Sequence, residues 1–284
     1  MEKFKERQPE VESKERFGRN VKIRATFMRH APKAEASDVS GKSLLSEEGR
    51  ERAREVGREL EVKQHGIKAY TSPTERAIET ADLVLEEQEK KETSILKSRE
   101  RDELGLIPGS KDFYQQIKKL TKENLPPNYE KLEGEEKEEA FEKAEDKAVD
   151  WWLKMGDQKP DNETASPQEM AVSVARLVDR YIRMADRLYS GSEVDLLNVS
   201  HKGTLEPFLK EVLFRKVRDE TGEEKVVRGF EELEEIGGGM RPTESWTLTI
   251  KTNKEGNKSI KLSFRGQECD LDMERLRELV NLSK

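Results

Sequence analysis

Apolar positions change period several times along the first hundred residues, and the changes mark out elements. Lys22–Met28 (KIRATFM) is rich in strand formers and predicts a β-strand. Pro32 follows almost at once and argues for a loop, which runs on to Leu45. Ser46, with Glu47 and Glu48 behind it, predicts a capped helix start. Ala53, Val56, Gly57 and Leu60 then recur at helical spacing, and Gly66 ends the helix with His65 as an end residue. Ile67–Thr71 predicts a second strand. Ser72-Pro73 opens a helix to about Glu87, with Ser72 read as its N-cap. Ser94–Lys97 predicts a third strand. Strands alternating with helices point to an α/β sheet.

From about Gly105 to Pro167 that alternation breaks. Leu125-Pro126-Pro127 predicts a turn and Lys131–Met155 a Glu/Lys-rich helix, so 105–166 is read as an inserted, mostly helical cap. In that cap Trp151 and Trp152 are read as packing residues. Ser166 caps a long amphipathic helix carrying Met170, Val174, Leu177, Val178, Ile182 and Leu188. Val194–Val199 (VDLLNV) is apolar enough for a buried central strand, and a helix near Leu205–Phe214 follows. Gly237-Gly238-Gly239 reads as a flexible loop, after which Arg241 and Glu244 lie within reach of a site. Trp246–Thr252 and Ser259–Phe264 predict a hairpin across a polar turn, and Asp270–Leu282 a closing helix. The expected architecture is a three-layer αβα sandwich: a mostly parallel central sheet, a helical cap insertion, and a C-terminal hairpin and helix. The domain is expected over 21–284, preceded by a flexible charged arm over 1–20.

Composition narrows the partners. Of 284 residues, 40% are charged, with 53 basic and 60 acidic side chains and a net charge of −7. No basic arm or stripe stands out, so nucleic acid is not the expected partner. An anionic ligand must be held by a few local cations against an acidic background. The single cysteine, Cys269, leaves no intramolecular disulfide to form, and a cytoplasmic location is expected. No stretch approaches the ~20 apolar residues of a membrane span. The first twenty residues lack the apolar run of a secretory signal.

The chemistry gathers around two of the three histidines. His30 and His201 directly follow predicted strands, at the end of an α/β sheet where ligands bind. Arg29 precedes His30, and Arg76 lies one turn into the helix after the second strand. FMRHAPKAE resembles the Arg-His-Gly motif of the histidine phosphatase, or phosphoglycerate mutase-like, superfamily. TSPTERAIETA resembles its second signature, and NVSHKGTLEPFL its Val-Ser-His-Gly-Gly motif. LSEEGRERAREVG is similar to the helix between the first two. Four such segments in family order are far more specific than any one alone.

The resemblance implies a metal-independent phosphatase that needs no cofactor. His30 would attack phosphorus and form a phosphohistidine. Arg29 and Arg76 would bind the phosphoryl oxygens and, with His201, stabilise charge on them in transit. Two nearby cations would lower the pKa of such a histidine and so keep it neutral and nucleophilic. Glu100 is the expected proton donor, with Asp102, Glu103 or a cap residue as alternatives. Two positions depart from the motifs. Ala31 replaces a glycine but keeps its carbonyl, and Lys202 replaces another, adding a cation at the pocket mouth or in water. The expected partner is a phosphorylated small molecule or a phosphoprotein. Two other readings stay open. One is a mutase, although PKAEASDVSGKSLLSEEG lacks the Asn and Trp of that class. The other is a non-catalytic phosphoryl-binding protein.

Overall fold

The computed structural model describes residues 16–34, 44–62, 66–218 and 221–282. The first strand, β1 (Lys22–Arg29), is followed by α1 (Glu47–Glu59), β2 (Ile67–Thr71), α2 (Glu75–Glu89) and β3 (Ile95–Glu100). Two helices come next, α3 (Lys111–Glu123) and α4 (Gly134–Leu153), then α5 (Pro167–Met184). β4 (Glu193–Ser200), α6 (Glu206–Val212), β5 (Leu213–Arg218) and β6 (Glu224–Arg228) lead to β7 (Ser245–Thr252), β8 (Lys258–Phe264), β9 (Gln267–Leu271) and α7 (Met273–Asn281).

The sheet runs β3-β2-β4-β1-β7-β8-β9-β5-β6. Its first four strands are parallel. Every later pairing, from β1–β7 to β5–β6, is antiparallel. The expectation of a mostly parallel sheet is therefore corrected to a mixed one. Parallel neighbours need a long crossover, whereas a tight turn reverses the chain. Helices carry the crossovers up to β4, and short polar turns join β7, β8 and β9. The β5–β6 hairpin and β9 had no counterpart in the periodicity. Their strands are largely exposed, so no buried face imposes an alternation.

Side chains on the central strands divide between two apolar layers. Ile23, Ala25, Phe27 and Leu196 join the larger cluster with α5, α6 and α7. Met28, Leu197 and Val199 join the cluster under α2. Phe27 stacks on Trp246 across the β1–β7 pair, with ring centroids 4.0 Å apart. A stacked pair of this kind adds about 0.5–1.5 kcal/mol beyond its buried area. Ser166 caps α5 in a reciprocal capping box with Glu169, as the sequence predicts.

One further expectation changes. Residues 16–20 are not a free arm. Gly18 N donates to Leu188 O at 2.9 Å, and Phe17 packs on Tyr189. The rest of that arm, and His65, lie outside the described residues. The helix α3 lies in the segment read as a mostly helical cap and was not singled out, although Phe113, Tyr114, Ile117 and Leu120 recur at helical spacing in it. Among the described residues no helix is long and apolar enough to cross a membrane.

Candidate active site

β1 and β4 are parallel neighbours, with Arg29 opposite Ser200 in register. The residues one step beyond their ends, His30 and His201, therefore emerge side by side at the same sheet edge. Their rings meet edge to face, with centroids 5.1 Å apart. Both are nearly inaccessible, His30 at 5% and His201 at 2% exposure. Four contacts hold the His30 loop. His30 N donates to Ser200 O, and Ser46 N at the start of α1 donates to Pro32 O. Ala31 N donates to Thr80 Oγ1, which itself donates to Arg76 O. Gly49 lets α1 press on this loop, since a Cβ there would lie 2.0 Å from Pro32 O.

The His30 tautomer follows from its partners. Arg76 Nε sits 3.0 Å from His30 Nε2. A guanidinium can only donate, so Nε2 carries the lone pair and Nδ1 the proton. Nδ1–H in turn donates to Ala31 O at 2.7 Å. Alanine thus supplies the orienting carbonyl that the motif places on glycine. For His201, Arg76 Nη2 lies 3.4 Å from Nδ1, which assigns the proton to Nε2. That nitrogen donates to Ser72 Oγ at 2.7 Å. Ser72 is therefore not the helix cap. The cap position of α2 is Thr74, and the buried Ser72 hydroxyl holds His201 instead.

Burial holds both imidazoles well below the usual histidine range. Arg29 and Arg76 push His30 further down, and His30 and Arg76 do the same to His201. Both are neutral at pH 7. Burial, then the neighbouring Arg29, also lowers the pKa of Arg76.

The two arginines differ in their partners. Arg29 Nη1 donates to both Glu142 oxygens, at 3.0 and 2.8 Å, and to Met240 O at 2.8 Å. Its Nη2 lies 3.6 Å from Glu145, and its buried Nε has no hydrogen-bond partner among the described residues. Burial alone would lower its pKa, but Glu142 and Glu145 more than offset that and raise it. Arg76, only 6% exposed, pairs with no carboxylate among the described residues. Its side-chain hydrogen bonds there go to the two histidines.

Lys202 is neither at the pocket mouth nor in water. It is buried against α4, with Nζ 2.8 Å from Glu142, 3.0 Å from Glu145 and 2.5 Å from Asp146. Burial raises the Glu142 carboxyl, but Arg29 and Lys202 outweigh it and hold it at about 2. The glycine loop serves this network through its backbone. Gly239 N donates to Asp146. Buried Glu206 accepts from Gly203 N and Met240 N and ties the loop to the segment after His201. Arg241 also pairs with Glu142, and Glu244 pairs with Arg265.

A cavity of about 340 Å³ opens over the histidines. Arg29, His30, Lys33, Arg76, His201, Lys202 and Glu145 make up its charged and imidazole lining near the histidines. Glu100 is not among its lining residues. It is exposed at the sheet edge, because β3 is the outermost strand and turns this side chain outward. Asp102 is exposed too, and Glu103 pairs with Arg180. The carboxyl that reaches the cavity comes from α4, as Glu145, which periodicity alone did not single out. Trp152 packs near Phe113 as expected, with centroids 6.3 Å apart. It also lines the cavity, which the sequence reading had not assigned.

Residues 26–106 match the family model described as the histidine phosphatase superfamily (branch 1). No curated protein matches the chain. Among solved structures, phosphoglycerate mutase from Bacillus anthracis str. Sterne aligns with a TM-score of 0.50 at 17% identity. The alignment covers 92% of this chain and 97% of that one. Mycobacterial hydrolase 2 aligns with a TM-score of 0.51 at 14% identity, over 93% and 98% of the two chains. At such identities the likeness is one of fold. The matched segment holds Arg29, His30 and Arg76 and the fold likeness spans the remainder, so in motif and in architecture what this chain resembles is the histidine phosphatase superfamily.

Proposed function

We propose that the protein is a phosphomonoesterase that works through a phosphohistidine on His30. The observation that carries this reading is Arg76. A buried guanidinium with no carboxylate partner among the described residues, set against two neutral imidazoles, is a site waiting for an anion. Leaving such a charge uncompensated costs several kcal/mol, which a bound phosphoryl group would offset.

In this reading the phosphate displaces Arg76 from His30 Nε2, and its oxygens take over the Arg76 donors. The idle Nε edge of Arg29 supplies another donor. Nε2 then attacks phosphorus in line, forming the P–N bond as the ester P–O bond breaks. The imidazolium keeps its Nδ1 proton on Ala31 O. His201 lies beside the transferring group with its Nε2–H held on Ser72 Oγ; a second proton, taken up at Nδ1 together with the phosphate, lets that nitrogen donate to a phosphoryl oxygen. The fixed donors stabilise charge without reorganising.

Glu145 is the proposed proton donor, in place of Glu100. Ion-paired with Lys202 and Arg29 in the resting site, it takes up a proton together with the substrate, gives that proton to the leaving alkoxide and takes one back from the water that cleaves the P–N bond. The segment 105–166 would act as the cap of one domain over 21–284, with α4 bringing Glu145 to the histidines.

Incubation with p-nitrophenyl phosphate plus chelator should release p-nitrophenolate. His30→Ala should abolish release, and brief exposure to substrate should trap an acid-labile phosphoenzyme. Turnover unchanged by His30→Ala would defeat this mechanism.

A further inference from the structure

The cavity has a second half that the phosphoryl chemistry does not use. Away from the histidines its wall is made by Ile107, Phe113, Ile117, Phe141, Val149 and Trp152. Phe113 and Ile117 come from α3, and Phe141, Val149 and Trp152 from α4. Phe141 is 41% exposed, an aromatic side chain left at the opening rather than packed away.

The hydroxyl and indole donors of this limb are already engaged, which leaves only the hydroxyl lone pairs of Tyr114 and Thr121 as side-chain acceptors. Tyr114 donates its hydroxyl to Ile107 O at 2.5 Å. Thr121 donates its own to Ile117 O at 2.9 Å. Trp152 Nε1 donates to Ala165 O at 3.1 Å, behind the wall. Lys118 and Lys122 line the cavity as well, but both are exposed and sit on the outer part of α3. A sugar or glycerate hydroxyl placed deep in this limb would lose water and find no free donor there, which is costly. Methylene or aromatic groups would lose water and gain contacts.

We infer that the leaving group is a hydrophobic alcohol, so that the substrates are amphipathic phosphomonoesters with an alkyl or aryl tail lying between α3 and α4. This rests on the phosphoryl subsite proposed above and adds what lies beyond the ester oxygen. A volume of about 340 Å³ stands at the lower end of the roughly 300–1,000 Å³ range of ligand pockets. It admits a compact tail rather than a long lipid chain. The exposed lysines suit the dianionic head during entry, against the acidic background of the protein.

Non-hydrolysable n-alkylphosphonates separate tail recognition from catalysis. Their binding to the full chain is measured by calorimetry from methyl upward. Affinity should rise about fourfold per methylene until the limb is full, with an increasingly negative heat-capacity change. A terminal hydroxyl on the same chain should cancel most of the gain. Phe141→Asn, at a partly exposed position, should flatten the chain-length dependence. Affinity that is flat or falls with length, that a terminal hydroxyl improves, or that is undetectable for every phosphonate overturns the inference. Turnover of the matching alkyl phosphates is then measured. Length-dependent phosphonate binding without any turnover would leave the tail site standing and defeat the phosphatase reading. Turnover that ignores tail length would do the reverse.

Discussion

Glu142 places both of its carboxylate oxygens on a single nitrogen of Arg29, Nη1, at 3.0 and 2.8 Å. The arginine assigned to the phosphate is thus already held by an internal anion, and Lys202 shares that anion at 2.8 Å. Removing the charge should act in two directions. Glu142→Gln should cost about 3 kcal/mol of stability, because a buried ion pair loses one partner. It should also tighten binding of inorganic phosphate, because Arg29 loses its competitor. Urea denaturation and a phosphate titration read the two effects separately. Weaker phosphate binding in the variant would contradict the competition.

Stability should depend on pH through the two buried histidines. Their folded pKa values lie well below the ordinary value, which is about 6.5 in the unfolded chain. The unfolded chain therefore binds more protons between the two values. The stabilisation is fully present above about pH 6.5 and is lost as pH falls toward the folded values, by up to about 1.4 kcal/mol per pH unit for each group. Denaturation midpoints between pH 7 and pH 5 should fall, and His30→Asn should reduce the slope. Glu142, held at about 2, is a depressed carboxylate. Its contribution should be lost only as pH drops below about 4.5 toward that value.

Ser72 Oγ lies 2.7 Å from His201 Nε2, while Thr74 Oγ1 is at 3.4 Å. Ser72→Ala should leave His201 without a good partner on that side. Losing one buried hydrogen bond is worth about 1–2 kcal/mol, so kcat should fall on the order of tenfold. Steady-state kinetics should show kcat falling more than KM changes, and Ser72→Thr should recover part of it. An unchanged kcat would remove Ser72 from the support of His201.

Thr80 supports the loop of the proposed nucleophile, His30, through Ala31. Its hydroxyl accepts from Ala31 N at 3.1 Å, in the residue whose carbonyl orients His30. Thr80→Val keeps the shape and orphans that amide. The expected cost is about 1–3 kcal/mol, with faster exchange of the Ala31 amide. A melting curve and hydrogen exchange check both.

Local chemistry was enough to locate much of this protein. Residues 22–28, 67–71 and 194–199 read as strands because their β-rich or apolar character is a property of the chain itself. The two histidines were legible for the same reason: each directly follows such a strand, and parallel neighbours place their ends together. Tertiary structure decided the rest. The carboxyl that lines the histidine cavity is Glu145 rather than Glu100, because β3 is an edge strand that leaves Glu100 exposed while α4 packs over the cavity. Nothing between residues 95 and 153 encodes that return locally. Lys202 read as a cation at the pocket mouth or in water and became a buried one, since its acidic partners sit about sixty residues earlier on α4. Sheet direction after β4 depended on which strands the short turns brought together. Side-chain period reports burial, and it carries no record of which neighbour, or which orientation, provides it.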